Sequence, residues 1–243
     1  MNIEISLLAE PLIQIGPVVF TNSMLTSVLV GLALVIGSLV LYRRWSLVPG
    51  RFQAVVEMGI GFIYNLAVGT AGEKVGRRIF PLMGTFFVFI LMANWGGLLP
   101  GYGVVTVRNF EGHTVPLLRP ANSDLNTTVA MALVSIATVQ VLSISARGVF
   151  GYIKEFFEPI SFMSVILFPV HLLSEVSHVI SLSVRLFGNI FAGEALTIVM
   201  YVMIPLVVPT MFLGLEMLFG FIQAMIFTVL SIGYIALATA KHD

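Results

Sequence analysis

Uncharged stretches of about twenty residues recur along this chain, and short segments between them hold most of its charge. The first stretch, Ser23 to Tyr42, is long enough to cross a bilayer as a helix. It ends at Arg43-Arg44-Trp45, a basic and aromatic anchor suited to a membrane interface. Residues 1–20 hold Glu4 and Glu10 and no Lys or Arg, so they do not read as a signal peptide, which begins with positive charge. Over 51–69, Gln53, Glu57, Gly61 and Asn65 recur every four residues among Val, Ile, Phe and Leu. One polar stripe on an apolar helix predicts an amphipathic helix lying on the membrane surface; a loosely polar transmembrane helix is the alternative. Glu73-Lys-Val-Gly-Arg-Arg78 returns the chain to water, and Ile79 to Pro100 predicts a second span, closed by the turn-rich Gly96-Gly97-Leu-Leu-Pro100-Gly101.

Residues 101–123 read as a polar loop with Arg108, Glu111, His113 and Arg119, leading to Asp124. The third span, 125–146, is uncharged but holds Thr127, Thr128, Ser135, Thr138, Gln140 and Ser143. One face should therefore meet other helices, because polar groups in lipid need partners. A short loop with Arg147, Lys154, Glu155 and Glu158 follows. The next helix is expected over 160–204, with no proline in the 35 residues from Val170 to Ile204. That stretch alone is about 52 Å long, against a hydrocarbon core of about 30 Å. After Pro205 and Pro209, residues 210–240 run uninterrupted for 31 more, or about 46 Å. Two such helices predict a hairpin tilted by about 50° or more, well past the usual value of about 20°. Breaks at Gly188 or Gly193 are the alternative.

The expected fold class is thus all-α membrane protein, with about five embedded helices and a surface helix in one domain. Basic residues set its orientation. With the N-terminus outside, nine of the twelve Lys and Arg lie inside, Arg108 and Arg119 lie outside, and Arg185 lies within the membrane. Composition agrees: 58% of residues are hydrophobic, 10% are charged and mean hydropathy is +1.03, where soluble domains carry about 25% charge. A net charge of +0 gives no sign of a nucleic-acid partner, and the absence of Cys excludes disulfides and thiolate chemistry.

Ionisable groups inside a membrane are costly and mark function by default. His171, Glu175, His178, Arg185 and Glu194 lie in the first long helix, and Glu216 lies in the second, followed by the amide Gln223. At about 100° per residue, His171, Glu175, His178, Arg185 and Asn189 fall within about 40° of one direction. Glu194 is about 180° from Arg185. Glu216, Gln223, Phe227 and Tyr234 share a face of the last helix at seven-residue spacing. The acids thus form two sets, Glu175 on the inner side of Arg185 and Glu194 with Glu216 on the outer side. Packing readings stand beside these: His178 as a hydrogen-bonded packing residue, Glu175 as its i,i+3 partner, Glu194 and Glu216 at headgroup depth. Arg185 resists such a reading, because it is central in its stretch and has no acid at i±4. Carboxylates and imidazoles exchange protons near neutral pH once burial tunes them. A guanidinium stays charged and acts as a fixed barrier or attractor.

Ser181-Leu-Ser-Val-Arg185-Leu-Phe-Gly-Asn189-Ile-Phe-Ala-Gly-Glu194 closely resembles the signature of subunit a of F-type ATP synthases. Phe80-Pro81 to Asn94-Trp95, Leu99-Pro100-Gly101, Arg119-Pro-Ala-Asn-Ser-Asp124-Leu-Asn126-Thr-Thr and Ile222-Gln223-Ala224 with Phe227 and Tyr234 resemble other parts of that family, in order along most of the chain. The resemblance implies a non-catalytic proton-channel stator against a rotating ring of c subunits, with peripheral-stalk b subunits and the whole complex as partners. It implies Arg185 as the residue facing the ring carboxylate, with Asn189 and Gln223 in support. Glu194, Glu216 and Asp124 are implied for the outer half-channel; Glu216 is histidine in some relatives. Glu175 and His178 are implied for the inner one, although many relatives have lysine or a neutral residue at position 178. No cofactor is implied, and a bacterial plasma membrane or a thylakoid is expected. The rival reading is a secondary transporter using Arg185 to bind an anionic substrate. It calls for inverted repeats, and the sequence shows none. An embedded enzyme lacks both a phosphate-binding Gly-x-x-x-x-Gly-Lys loop and a His-Glu-x-x-His site.

Overall fold

A computed structural model describes residues 9–99, 102, 105–110, 112–157, 162–203 and 207–239. The expected helix ends at Pro100, 160, Ile204 and Ala240, the Pro205 break, and the side chains of Arg147, Lys154, Glu155, Glu158 and His171 lie outside the described residues.

Among the described residues five helices carry the fold: α1 (Asn22–Arg43), α2 (Arg51–Gly96), α3 (Leu125–Phe157), α4 (Phe162–Met203) and α5 (Val207–Thr239). Each has a stretch long and apolar enough to cross a membrane. The chain is an all-α membrane protein, and its described residues include two small β-hairpins. Strands β1 (Pro11–Ile15) and β2 (Val18–Thr21) form an antiparallel hairpin before α1. Strands β3 (Thr106–Arg108) and β4 (Thr114–Pro116) form a second one inside the segment read as a loop. A single 3₁₀ turn, Ala121–Ser123, follows it.

Local chemistry sets the helix ends. Thr21 caps α1 by accepting the Met24 N–H at 3.3 Å, and Asp124 Oδ1 accepts the Asn126 N–H at 3.0 Å where α3 begins. Gly72, at φ 77°, bends α2 sharply, and Gly148, at φ 76°, bends α3. Around the Gly72 bend the two arms of α2 touch. The Tyr64 and Phe80 rings meet edge to face at 5.3 Å, and a Cβ on Gly76 would stand 2.6 Å from Val68 Cα. In the first arm, Gln53 is buried on Ser46 and Glu57, whereas Phe52, Val55, Met58 and Phe62 are exposed.

The core joins four helices. Ile79, Met83, Phe86, Phe87 and Ile90 of α2 pack with Ala224, Phe227, Ile232 and Ile235 of α5, with Leu182 and Leu186 of α4, and with Met131, Ala132, Val139 and Leu142 of α3. Polar groups of α3 bond across this core. Ser135 Oγ donates to Ser231 Oγ at 2.8 Å, and Ser143 Oγ donates to the Ala238 carbonyl at 3.3 Å. Thr138 instead is exposed and bonds its own helix. Helix α4 is helical through both Gly188 and Gly193, so the expected alternative of a break there is absent. Its 42 residues span about 63 Å, roughly twice the hydrocarbon thickness.

Candidate functional site

Buried Leu182 and Leu186 anchor the middle of α4 in the core and turn Arg185 outward. Arg185 is exposed, and its Nη2 donates to Ser181 Oγ, one turn back, at 3.3 Å. Among the described residues no carboxylate pairs with it. Ser181, Ala192 and Leu196 share its face and are exposed, and His178 and Asn189, half-buried, flank them. The structure therefore presents an exposed cation on a face with small and polar neighbours and, among the described residues, no acid paired with it.

Asn189, one turn further, lines a groove of about 190 Å³ with Gly193, Thr197, Phe212, Glu216 and Phe219. Glu216 reaches from α5 across Gly193, where an added Cβ would lie 2.8 Å from its Oε1. Only glycine leaves room for the carboxylate there. Thr197 Oγ1 donates to Glu216 Oε2 at 3.5 Å. Asn94 and Trp95 of α2 hold the next turn of α5. Asn94 Nδ2 donates to the Gly220 carbonyl at 3.0 Å, and Trp95 Nε1 donates to that of Met217 at 3.0 Å. Asn122 Nδ2 in turn donates to Asn94 Oδ1 at 2.6 Å.

Glu194 sits on the side of α4 away from Arg185. Its Oε2 lies 3.7 Å from Nη2 of buried Arg119, within ion-pair distance. Arg119 Nε donates to Ser123 Oγ at 3.0 Å, and Ser123 also lies at the Glu194 carboxylate. Asp124 is buried, with its carboxylate engaged at the start of α3. Toward the other end of α4, Glu175 is half-buried, and His178 stacks on Tyr234 of α5 at 4.1 Å and 21°. Gln223 is buried, and its Nε2 has no hydrogen-bond partner. The structure thus brings Glu194, Glu216 and Asn189 into one region, leaves Arg185 on the outer strip, and sets Glu175 and His178 apart from both acids.

Residues 24–236 match the protein family described as ATP synthase A chain. The chain belongs to that family. It is 36% identical over 223 residues to ATP synthase subunit a of Moorella thermoacetica, covering 92% of this chain and 93% of that one. The subunit of Gloeobacter violaceus is 36% identical over 231 residues, covering 95% and 89%. ATP synthase subunit a 1 of Hahella chejuensis is 33% identical over 224 residues, covering 92% and 86%.

Within this A chain fold, the sequence reading missed Glu10. Glu10 closes a clasp with the start of α1. Its N–H donates to Asn22 Oδ1 at 3.2 Å, and its carbonyl accepts the Asn22 N–H at 3.1 Å. Asn22 Nδ2 donates to the Pro116 carbonyl at 3.2 Å, tying the N-terminal hairpin to the segment before Arg119. Burial pushes the Glu10 carboxyl above its ordinary value; the Arg119 charge lowers it by less, and Glu194 adds to the rise. No local pattern announces a partnership with residues more than a hundred positions away.

Proposed function

We propose that this chain is the proton-channel stator of a rotary F-type ATP synthase, with Arg185 separating two offset half-channels against a c-ring. The observation that carries this is that Arg185 is exposed and, among the described residues, no carboxylate pairs with it. A guanidinium turned to lipid would cost from about 2.5 to more than 10 kcal/mol, so a carboxylate on a neighbouring subunit is required to face it. Small neighbours such as Ser181 and Ala192 allow close approach.

A proton from outside passes Asp124, Glu194 and Glu216 and neutralises a ring carboxylate. The neutral carboxyl can face lipid, and the ring turns. At the inner pathway, past Glu175 and along the wall formed by His178 on Tyr234, the proton leaves. The restored carboxylate is drawn to Arg185, supported by Asn189 and Gln223. Arg185 never gives up its proton, so no proton leaks directly between the two pathways. Each charge crossing 100 mV releases about 2.3 kcal/mol, which favours one direction. The length of α4 supports a steep tilt, which lets it follow the outside of a ring. The exposed apolar face of the first arm of α2 supports its lying in the membrane surface with Gln53 turned inward. The N-terminus outside, peripheral-stalk b subunits and a bacterial plasma membrane complete the proposal.

Purification from the native membrane tests it. A complex holding a c-ring and an ATPase head is expected; a lone oligomer that transports a solute by itself overturns the reading.

A further inference from the structure

Four buried polar atoms without a protein hydrogen-bond partner belong to connected parts of the fold: Glu10 Oε2, Ser23 Oγ, Asn122 Oδ1 and Glu194 Oε2. Ser23 and Asn122 are completely buried. Ser23 opens α1 beside Asn22, the residue that clasps Glu10. Asn122 sits in the 3₁₀ turn between Arg119 and α3, and that turn packs on both α1 and α4. Arg119, 6% exposed, stands between these parts, paired with Glu194 and acting on Glu10. Buried oxygens of this kind are met in folded proteins by internal water. One guanidinium acting on two carboxylates leaves a net negative site when both are ionised, and such a site attracts a proton.

We infer that Glu10 is a proton-relay carboxylate at the outer mouth of the pathway, passing protons through enclosed water to Glu194 across the fixed cation of Arg119. This rests on the proposed function. A hydronium outside gives its proton to the Glu10 carboxylate and leaves as water. The Glu10 O–H then gives that proton to an enclosed water, which passes one of its own to the Glu194 carboxylate. Glu10 returns to the anion, the water is regenerated, and one proton has moved inward. Its neighbours suit this step. Burial and Glu194 favour the protonated form, while Arg119 keeps the anion accessible. The clasp to Asn22 fixes the backbone that carries the group.

The test uses the whole ATP synthase complex, purified and reconstituted in liposomes, with proton-driven ATP synthesis measured against external pH. Glu10→Gln keeps size and polarity and removes the titrating group. The expected result is full subunit composition and a rate at alkaline external pH lower by about tenfold. The loss falls short of the ~10²-fold of a positioned acid–base group because water still delivers protons. The deficit shrinks at acidic external pH, where protons are abundant. Glu10→Asp, which withdraws the carboxyl by one methylene, is expected to show a smaller deficit, and it decides the matter if the Gln variant fails to assemble. Rates equal to the unmodified complex at every external pH overturn the inference. Arg185→Ala separates the two levels: if it couples normally the proposed function fails, whereas if it uncouples and the Glu10 variants match wild type, only the relay fails.

Discussion

Asn94→Leu isolates what holds the Glu216 turn of α5 in place. Leucine has the same branching and number of side-chain heavy atoms, so the change removes polarity while keeping the side chain's shape, though its methyl groups are bulkier. Two hydrogen bonds disappear, one to the Gly220 carbonyl at 3.0 Å and one from Asn122 Nδ2 at 2.6 Å. Hydrogen bonds between membrane helices are worth about 0.6 kcal/mol each, and soluble ones about 1. Gly220 keeps its place in the helical ladder, but fully buried Asn122 is left with its amide N–H unmet, which costs about 1–3 kcal/mol. The expected loss is therefore about 2–4 kcal/mol, localised where α2, the 3₁₀ turn and α5 meet. Hydrogen exchange of the backbone amides over 216–224, measured on the intact complex, reads it directly. A loss of 2 kcal/mol raises exchange by about 30-fold, and proton flow falls with it because the Glu216 turn is no longer fixed. Exchange within about twofold of wild type, equivalent to under roughly 0.5 kcal/mol, refutes the reasoning.

The remaining expectations concern the same region. Gly193→Ala puts a methyl 2.8 Å from Glu216 Oε1; stability holds or rises by up to about 1 kcal/mol from helix propensity, while proton flow drops, by up to ~10²-fold for a displacement of about 1 Å, and unchanged flow contradicts the placement of Glu216. His178→Phe keeps the stack on Tyr234 and is expected to keep flow, whereas His178→Ala loses about 0.5–1.5 kcal/mol of ring packing; lost flow in a fully assembled Phe variant shows that the imidazole itself is needed. For Glu10 the folded-state carboxyl lies above its unfolded value of 4.5. Its contribution to stability is therefore full below pH 4.5 and is lost as pH climbs through the raised native value. Thermal unfolding of the N-terminal hairpin should follow that direction in wild type and become flat over this window in Glu10→Gln; the same slope in both contradicts it.

The helices were legible because a bilayer demands long uncharged stretches, and because a helix fixes the angle between its own residues. Phase alone placed Glu194 opposite Arg185, and in the structure Glu194 meets Arg119 while Arg185 stays exposed. The two β-hairpins were not legible. Their strands run for three to five residues, and Pro11 and Pro116 begin and end two of them, too short for alternation to register. Nor did the sequence show how elements meet. Asn94, Asn122 and Gly220 come from three separate segments, and Glu10 is tied through the Asn22 clasp to Pro116. Periodicity reports on one helix at a time, whereas these contacts depend on tertiary packing. Glu10 read only as a charge out of place in a signal sequence, and its buried, unpartnered Oε2 gives it chemistry.

The most direct measurement of the central claim is proton flux through reconstituted complexes carrying Arg185→Ala, with and without ATP turnover. Loss of coupled ATP synthesis, together with a passive proton leak through the membrane sector, is the predicted result. Normal ATP-driven pumping and normal synthesis in that variant contradict the account, because Arg185 would then be neither the counter-charge of a ring carboxylate nor the barrier between the two half-channels.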